Sequence, residues 1–261
     1  MSRTPTAMAD SSLRRCLAIV MLISAVAGGC ATATAPRPPS SAPAPAEAEW
    51  PLALQWQRTA AEHRAVYVQT FRLAGGRLEE LASGREPGTW AVVADADETI
   101  LDNSLYAVER AAIGAYYTPE SWTEWVARRE APALPGARAF LERVHELGGH
   151  LAIVTNRRAE ECADTEANFQ QEALPYDAML CRPADGSRDK DPRFRAVEQG
   201  QTAAGLPPLE VVLYLGDNIE DFPAADQEIR HAGPQALEPF GDRWIVFPNP
   251  VYGSWEQNPP Q

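Results

Sequence analysis

The chain has a single lysine. Of its 23 basic residues all but Lys190 are arginine. Basic charge is scarce as a whole, because 36 acidic residues leave a formal charge of −13 over 261 residues. A binder of nucleic acid or of anionic membranes needs a basic surface to displace counterions, so this balance excludes both. Cysteine is scarce too. Four cysteines without a C-x-x-C pair make neither a disulfide scaffold nor a structural zinc site. Long hydrophobic runs are missing: the run Leu17 to Ala27 is too short for a permanent membrane span. What remains is an ordinary globular composition with ample chain for one large core.

The N-terminus reads as an address. Arg14 and Arg15 precede the apolar run, which suits a secretory h-region and ends in Val26-Ala27-Gly28-Gly29-Cys30. Small residues before a cysteine resemble a bacterial lipobox. Residues 1–29 are therefore expected to be a lipoprotein signal peptide, with Cys30 the lipidated first residue. The rival is ordinary cleavage after Ala27, which would yield a soluble periplasmic protein. Ala31 is not the aspartate that retains enteric-type lipoproteins in the inner membrane. An outer-membrane location, facing periplasm or surface, is the expectation. Removing residues 1–29 takes away three arginines and one aspartate, so the charge of −13 becomes −15. Residues 30–49 are rich in proline and alanine and predict an extended tether.

Residues 50–261 predict an α/β domain. Residues 51–83 read as helical with a break at Gly75-Gly76, and 103–134 as a second, mostly helical stretch. Phe140, Leu141, Val144 and Leu147 follow helical spacing. Short apolar runs at 90–94, 151–154, 178–181, 211–215 and 244–247 alternate with these helices. That alternation predicts a Rossmann-like parallel sheet with helices on both faces.

Ligands of such sheets bind beyond the carboxyl ends of the strands. Three of the runs end in polar clusters: Asp95-Ala96-Asp97-Glu98-Thr99, Thr155-Asn156-Arg157, and Gly216-Asp217-Asn218-Ile219-Glu220-Asp221. Several carboxylates converging on one edge cannot all stay ionised without a cation. Mg²⁺ is the expected one, being hard and satisfied with a few carboxylate oxygens. One aspartate can then attack phosphorus while the other protonates the leaving oxygen. Thr155 could hydrogen-bond a phosphoryl oxygen, and Lys190 could neutralise one.

V-V-A-D-A-D-E-T-I-L-D-N-S-L-Y, I-V-T-N-R, D-K-D-P-R-F and L-Y-L-G-D-N-I-E-D-F resemble the four ordered motifs of the haloacid dehalogenase superfamily. More narrowly they resemble the class C nonspecific acid phosphatases, as does the closing P-N-P-V-Y-G-S-W-E. The likeness runs from about Trp50 to Trp255. It departs at Ala96, where the family has Leu or Ile, and at Ile219, where it has Leu. The resemblance implies that Asp95 is nucleophile and metal ligand. Asp97 would be general acid and then base, with its backbone carbonyl on the metal. Asp217 would be a direct ligand, with Asp221 supporting it. Thr155 and Lys190 would bind the phosphoryl group, with Asn156 in support. Trp122 and Tyr252 become candidates for stacking a substrate aromatic ring, with two core aromatics as the bland alternative. The resemblance also implies a homodimer.

The expected enzyme is an exported, Mg²⁺-dependent acid phosphatase acting on small phosphomonoesters, nucleoside monophosphates among them, through an aspartyl-phosphate. Residues 103–134 would be a small helical lid. The alternatives are a phosphotransferase on the same fold and a non-catalytic surface lipoprotein. Cys162 should start a helix leaving the catalytic edge and Cys181 should end a strand at that edge. Export permits oxidation, so a Cys162–Cys181 disulfide is expected over two free thiols.

Overall fold

The structure is a computed structural model in which residues 50–259 are described. The expected signal peptide, the tether and the Cys30 lipidation site lie outside the described residues. Among the described residues no helix is long and apolar enough to cross a membrane.

Five strands form one all-parallel sheet: β1 (Trp90–Ala94), β2 (His150–Arg158), β3 (Ala178–Arg182), β4 (Glu210–Gly216) and β5 (Trp244–Val246). Their spatial order is β3-β2-β1-β4-β5. The chain winds outward from β1 on one side, then returns to place β4 and β5 on the other. The β1–β4 boundary is thus the switch point where a crevice opens above the sheet. The strands are apolar on both sides because both faces are covered. Trp90, Val92 and Ala94 join one core and Ala91 and Val93 the other, as the two-residue period of a strand requires.

Helices α1 (Leu52–Thr59), α2 (Ala61–Ala82), α3 (Ser104–Ala112), α4 (Pro119–Arg128), α5 (Ala137–Glu146), α6 (Cys162–Gln171) and α7 (Asp191–Glu198) complete the fold. The expected break at Gly75-Gly76 is absent. Helix α2 runs through both glycines, and the chain breaks at Ala60, where ψ is 131°. Tyr67, Phe71, Ala74 and Leu78 form one buried stripe on α2. Burying that stripe outweighs the roughly 1 kcal/mol that each glycine costs a helix. The 103–134 stretch holds two short helices, α3 and α4. Helix α4 begins where the Thr118 hydroxyl accepts from the Ser121 backbone N–H and Pro119 takes the first turn.

Cys162 and Cys181 are joined by a disulfide with a Cα–Cα distance of 6.0 Å. It ties the start of α6 to the end of β3, across a sequence separation of 19. A loop of that length predicts about 3 kcal/mol of stabilisation through the unfolded chain. Cys162→Ser is expected to lower the denaturation midpoint accordingly. An unchanged urea midpoint would show that the link contributes nothing.

Candidate active site

The candidate residues gather where β1, β2 and β4 end, joined by Lys190 at the start of α7. After Ala94 the chain leaves the sheet at Asp95, whose backbone N–H still donates to Leu215 O of β4 (2.9 Å). A tight turn follows, with Ile100 and Leu101 N–H groups both donating to Ala96 O. Glu98 occupies the left-handed region (φ 51°), an uncommon conformation for a residue with a Cβ. The buried Tyr67 hydroxyl holds it there by donating to Glu98 O (2.6 Å). This turn carries Asp95 and Asp97 upward into the crevice.

From β4 come Asp217 and Asp221. Gly216 is required at the strand end, because a Cβ there would lie 2.2 Å from Asp221 Cβ. The Asn218 backbone N–H donates to Asp221 Oδ2 (2.9 Å), which folds the Asp221 carboxylate back toward the strand. Asp95, Asp217 and Asp221 each offer one oxygen, all within 4.8 Å of one another. Lys190, at the start of α7, points its Nζ into this group. It contacts Asp95 and lies 2.6 Å from Asp221 Oδ1. The lysine is 3% exposed.

The electrostatics follow from crowding. Burial pushes the Asp95 carboxyl up to about 7; Lys190 opposes the rise, and Asp221 and Asp97 add to it. Burial, with Asp221 and Asp95 close by, raises Asp217 well above the usual carboxylate range. Burial likewise raises Glu98, with help from Asp97, Asp217 and Asp102. Burial alone would lower the Lys190 ammonium, but Asp221 and Asp95 outweigh it and hold it above its ordinary value. One ammonium cannot offset three clustered carboxylates. Three hard oxygen donors with surplus negative charge fit a divalent cation.

Carboxyls raised in the folded state bind protons there more tightly than in the unfolded chain. Asp95, Glu98 and Asp217 therefore give the metal-free protein a contribution to stability that is present at low pH and is lost as pH rises from about 4 toward 7. Thermal melts with EDTA should show a falling Tm across this window, and excess Mg²⁺ should remove the slope. A Tm that rises with pH in EDTA would contradict the assignment.

The β2 end supplies Thr155, fully buried, and Asn156, half-buried. Both are gripped by Arg193 of α7, whose Nη1 donates to Thr155 O (2.5 Å) and Nη2 to Asn156 Oδ1 (2.7 Å). The same helix thus places Lys190 and fixes the Thr155 loop. Arg157 reaches the other way, to Asp97. The C-terminal segment closes the site: Asn249 Nδ2 donates to Asp217 Oδ2 (2.8 Å), and the Tyr252 hydroxyl donates to the Glu98 carboxylate. Trp122 is half-buried beside Tyr106 (5.1 Å between ring centres) and Tyr117 (6.2 Å). Tyr252 is 38% exposed, and the two rings do not stack on each other.

Three residues that bond to the candidate site residues have no distinguishing mark in the sequence: Arg157, Arg193 and Asn249. Each lies inside a quoted motif, but its partner comes from a distant strand or loop. The arginines carried no distinguishing signal in a chain where arginine supplies nearly every cation.

Opposed aspartates on a switch-point crevice, with an ammonium sealed among them, have the makings of phosphoryl-group chemistry on an α/β scaffold. The comparisons narrow this class. Residues 23–255 match the model of the HAD superfamily, subfamily IIIB (acid phosphatase), and the chain belongs to that family. It is an acid phosphatase, a hydrolase of phosphomonoesters. The class C acid phosphatase from Bacillus anthracis is 31% identical, with a TM-score of 0.70 over 78% of this chain and 85% of that one. The tungstate-bound form of that enzyme gives 31% identity and a TM-score of 0.71 over the same shares.

Proposed function

We propose that the enzyme is an exported, Mg²⁺-dependent acid phosphatase that hydrolyses small phosphomonoesters through a phosphoaspartate on Asp95. The observation that carries this reading is the contact of the Lys190 ammonium with Asp95, deep in the crevice, beside a cluster that suits a divalent ion. A nucleophilic carboxylate must meet a phosphoryl dianion, and two like charges repel. In this reading Lys190 and the Thr155 hydroxyl would hold phosphoryl oxygens against Asp95. The tungstate in the Bacillus anthracis relative is a tetrahedral oxyanion of the same kind.

In the first step an Asp95 oxygen bonds to phosphorus. The ester P–O bond breaks with its electron pair going to the leaving oxygen, which takes a proton from Asp97. In the second step Asp97, now a carboxylate, takes a proton from water as the water oxygen attacks phosphorus. The Asp95–phosphorus bond then breaks and Asp95 is restored. Mg²⁺, held by the side chains of Asp95 and Asp217 and the Asp97 carbonyl with Asp221 in support, would supply charge neutralisation.

Trp122 of α4 and Tyr252 of the C-terminal segment are the aromatic candidates that would favour nucleoside monophosphates as one substrate class. The 103–134 helices would form only a partial cover, which suits small, varied esters. The apolar run before Cys30 supports export and lipid anchoring, which radiolabelled palmitate incorporation that Cys30→Ser abolishes would test. The function itself is tested by hydrolysis of a chromogenic aryl phosphate from pH 4 to 8. Turnover is expected to vanish in EDTA and return with Mg²⁺. Metal-independent turnover, or none at any pH, would overturn the proposal.

A further inference from the structure

The two oxygens of Asp97 are not equivalent, and the difference is built by residues that cannot reach a substrate. Oδ1 accepts three hydrogen bonds: from Arg157 Nε (2.9 Å), from Arg157 Nη2 (2.7 Å) and from Asn103 Nδ2 (2.9 Å). Oδ2 has one long contact, 3.2 Å to the same Arg157 Nε. Three donors fill the lone-pair directions of Oδ1, so a proton cannot be carried there without losing one of them.

The donors are themselves locked. The Asn103 amide has one allowed orientation, because its Oδ1 accepts from the indole N–H of Trp125 (2.8 Å), a group that can only donate. Asn103 Oδ1 also accepts from Arg157 Nη2 (3.2 Å), and the Asn103 backbone N–H donates to Glu98 Oε1 (2.9 Å). On its far side Arg157 Nη1 donates to Thr165 Oγ1 (3.2 Å), and Thr165 donates on to Glu161 O (2.8 Å). The guanidinium lies 5.6 Å from the Trp122 ring centre. The Arg157 side chain is 1% exposed, against 17% for Asp97. Arg157 is therefore walled in on every side but the one occupied by Asp97. It can act on the reaction only through that carboxylate.

We infer that Arg157, with Asn103, is a positioning residue that anchors Asp97 by Oδ1 and reserves Oδ2 as the oxygen that carries the proton to the leaving group. This rests on the reading of Asp97 as general acid. The anchored fork holds the carboxylate plane, so the Oδ2 proton faces the ester oxygen rather than rotating away. A lysine could not do this, since one ammonium cannot present two parallel N–H groups to one carboxylate.

The test is the dependence of kcat/KM on the leaving group, which reports bond breaking to the ester oxygen. Glycerol 2-phosphate has a poor leaving group that needs the proton, and 2,4-dinitrophenyl phosphate has a good one that does not. Asp97→Asn sets the scale, with an expected loss of about 10²- to 10⁴-fold on glycerol 2-phosphate and a much smaller loss on the aryl ester. Arg157→Gln is expected to show the same selectivity, with a loss of about 10²-fold on glycerol 2-phosphate alone. Arg157→Lys should recover only part of it. The ratio of the two substrates on one sample is independent of how much of a weakened variant is folded. An equal loss on both substrates in Arg157→Gln, with Asp97→Asn selective, would overturn the inference and leave Asp97 as the acid. An equal loss in Asp97→Asn would instead remove Asp97 from that role, and the inference with it.

Discussion

Asp95→Asn is expected to lose between about 10⁴- and 10⁶-fold in kcat, the span that removal of one member of a covalent catalytic set costs. The amide keeps the shape of the side chain but has no anionic oxygen to form the bond to phosphorus. The same change should make the metal-free protein more stable. Asp95 lies in a cluster with Asp217 and Asp221 and is itself 7% exposed, so its charge is repelled and poorly solvated. Lys190 keeps its second partner, Asp221 Oδ1 at 2.6 Å, so the buried ammonium stays paired. A higher Tm in EDTA together with near-zero turnover is the expected pair of results. Catalytic sites commonly trade stability for function in this way. Residual activity within tenfold of the parent would remove Asp95 as nucleophile.

Lys190→Arg is the second large effect. The substitution keeps the charge, and in a chain of 22 arginines it looks conservative. The site does not allow it. The ammonium is a compact point charge seated between Asp95 and Asp221 at 3% exposure, and a planar guanidinium needs more room and a different geometry. Overpacking should cost about 1–3 kcal/mol of stability, leaving a folded protein. If Lys190 meets the phosphoryl group as proposed, misplacing its charge costs about 10²- to 10³-fold in kcat. Circular dichroism and steady-state kinetics on one preparation separate the two effects. Turnover near that of the parent would take Lys190 out of the phosphate site.

Much of the fold was legible because its signals are local. Apolar runs such as Val211 to Leu215 mark strands covered on both faces, and each is followed by the polar residues that a switch-point crevice collects. The Gly75-Gly76 reading failed for the opposite reason. A glycine's cost is local, but the stripe Tyr67, Phe71, Ala74 and Leu78 that overrides it draws its energy from Phe140 and Phe247, far away in the chain. Arg157 could not be told from other arginines by composition. Its role exists only because β1 and β2 are neighbours, which brings it 2.7 Å from a carboxylate sixty residues earlier.

By itself the sequence determined which groups are present and in what order: paired aspartates at a strand end, a hydroxyl after the next strand, one lysine, and a final acidic turn. Those are properties of short segments, set by residue type and by the two-residue period of a strand. Only the tertiary structure decided which of them touch. It seated the lone ammonium among three carboxylates. It turned the C-terminal segment back so that Asn249 and Tyr252 reach Asp217 and Glu98. It also made one oxygen of Asp97 unlike the other. The physical reason is range. Hydrogen bonds and ion pairs act over a few ångströms, and only the packing of the sheet and its helices brings residues that are remote in sequence within that distance.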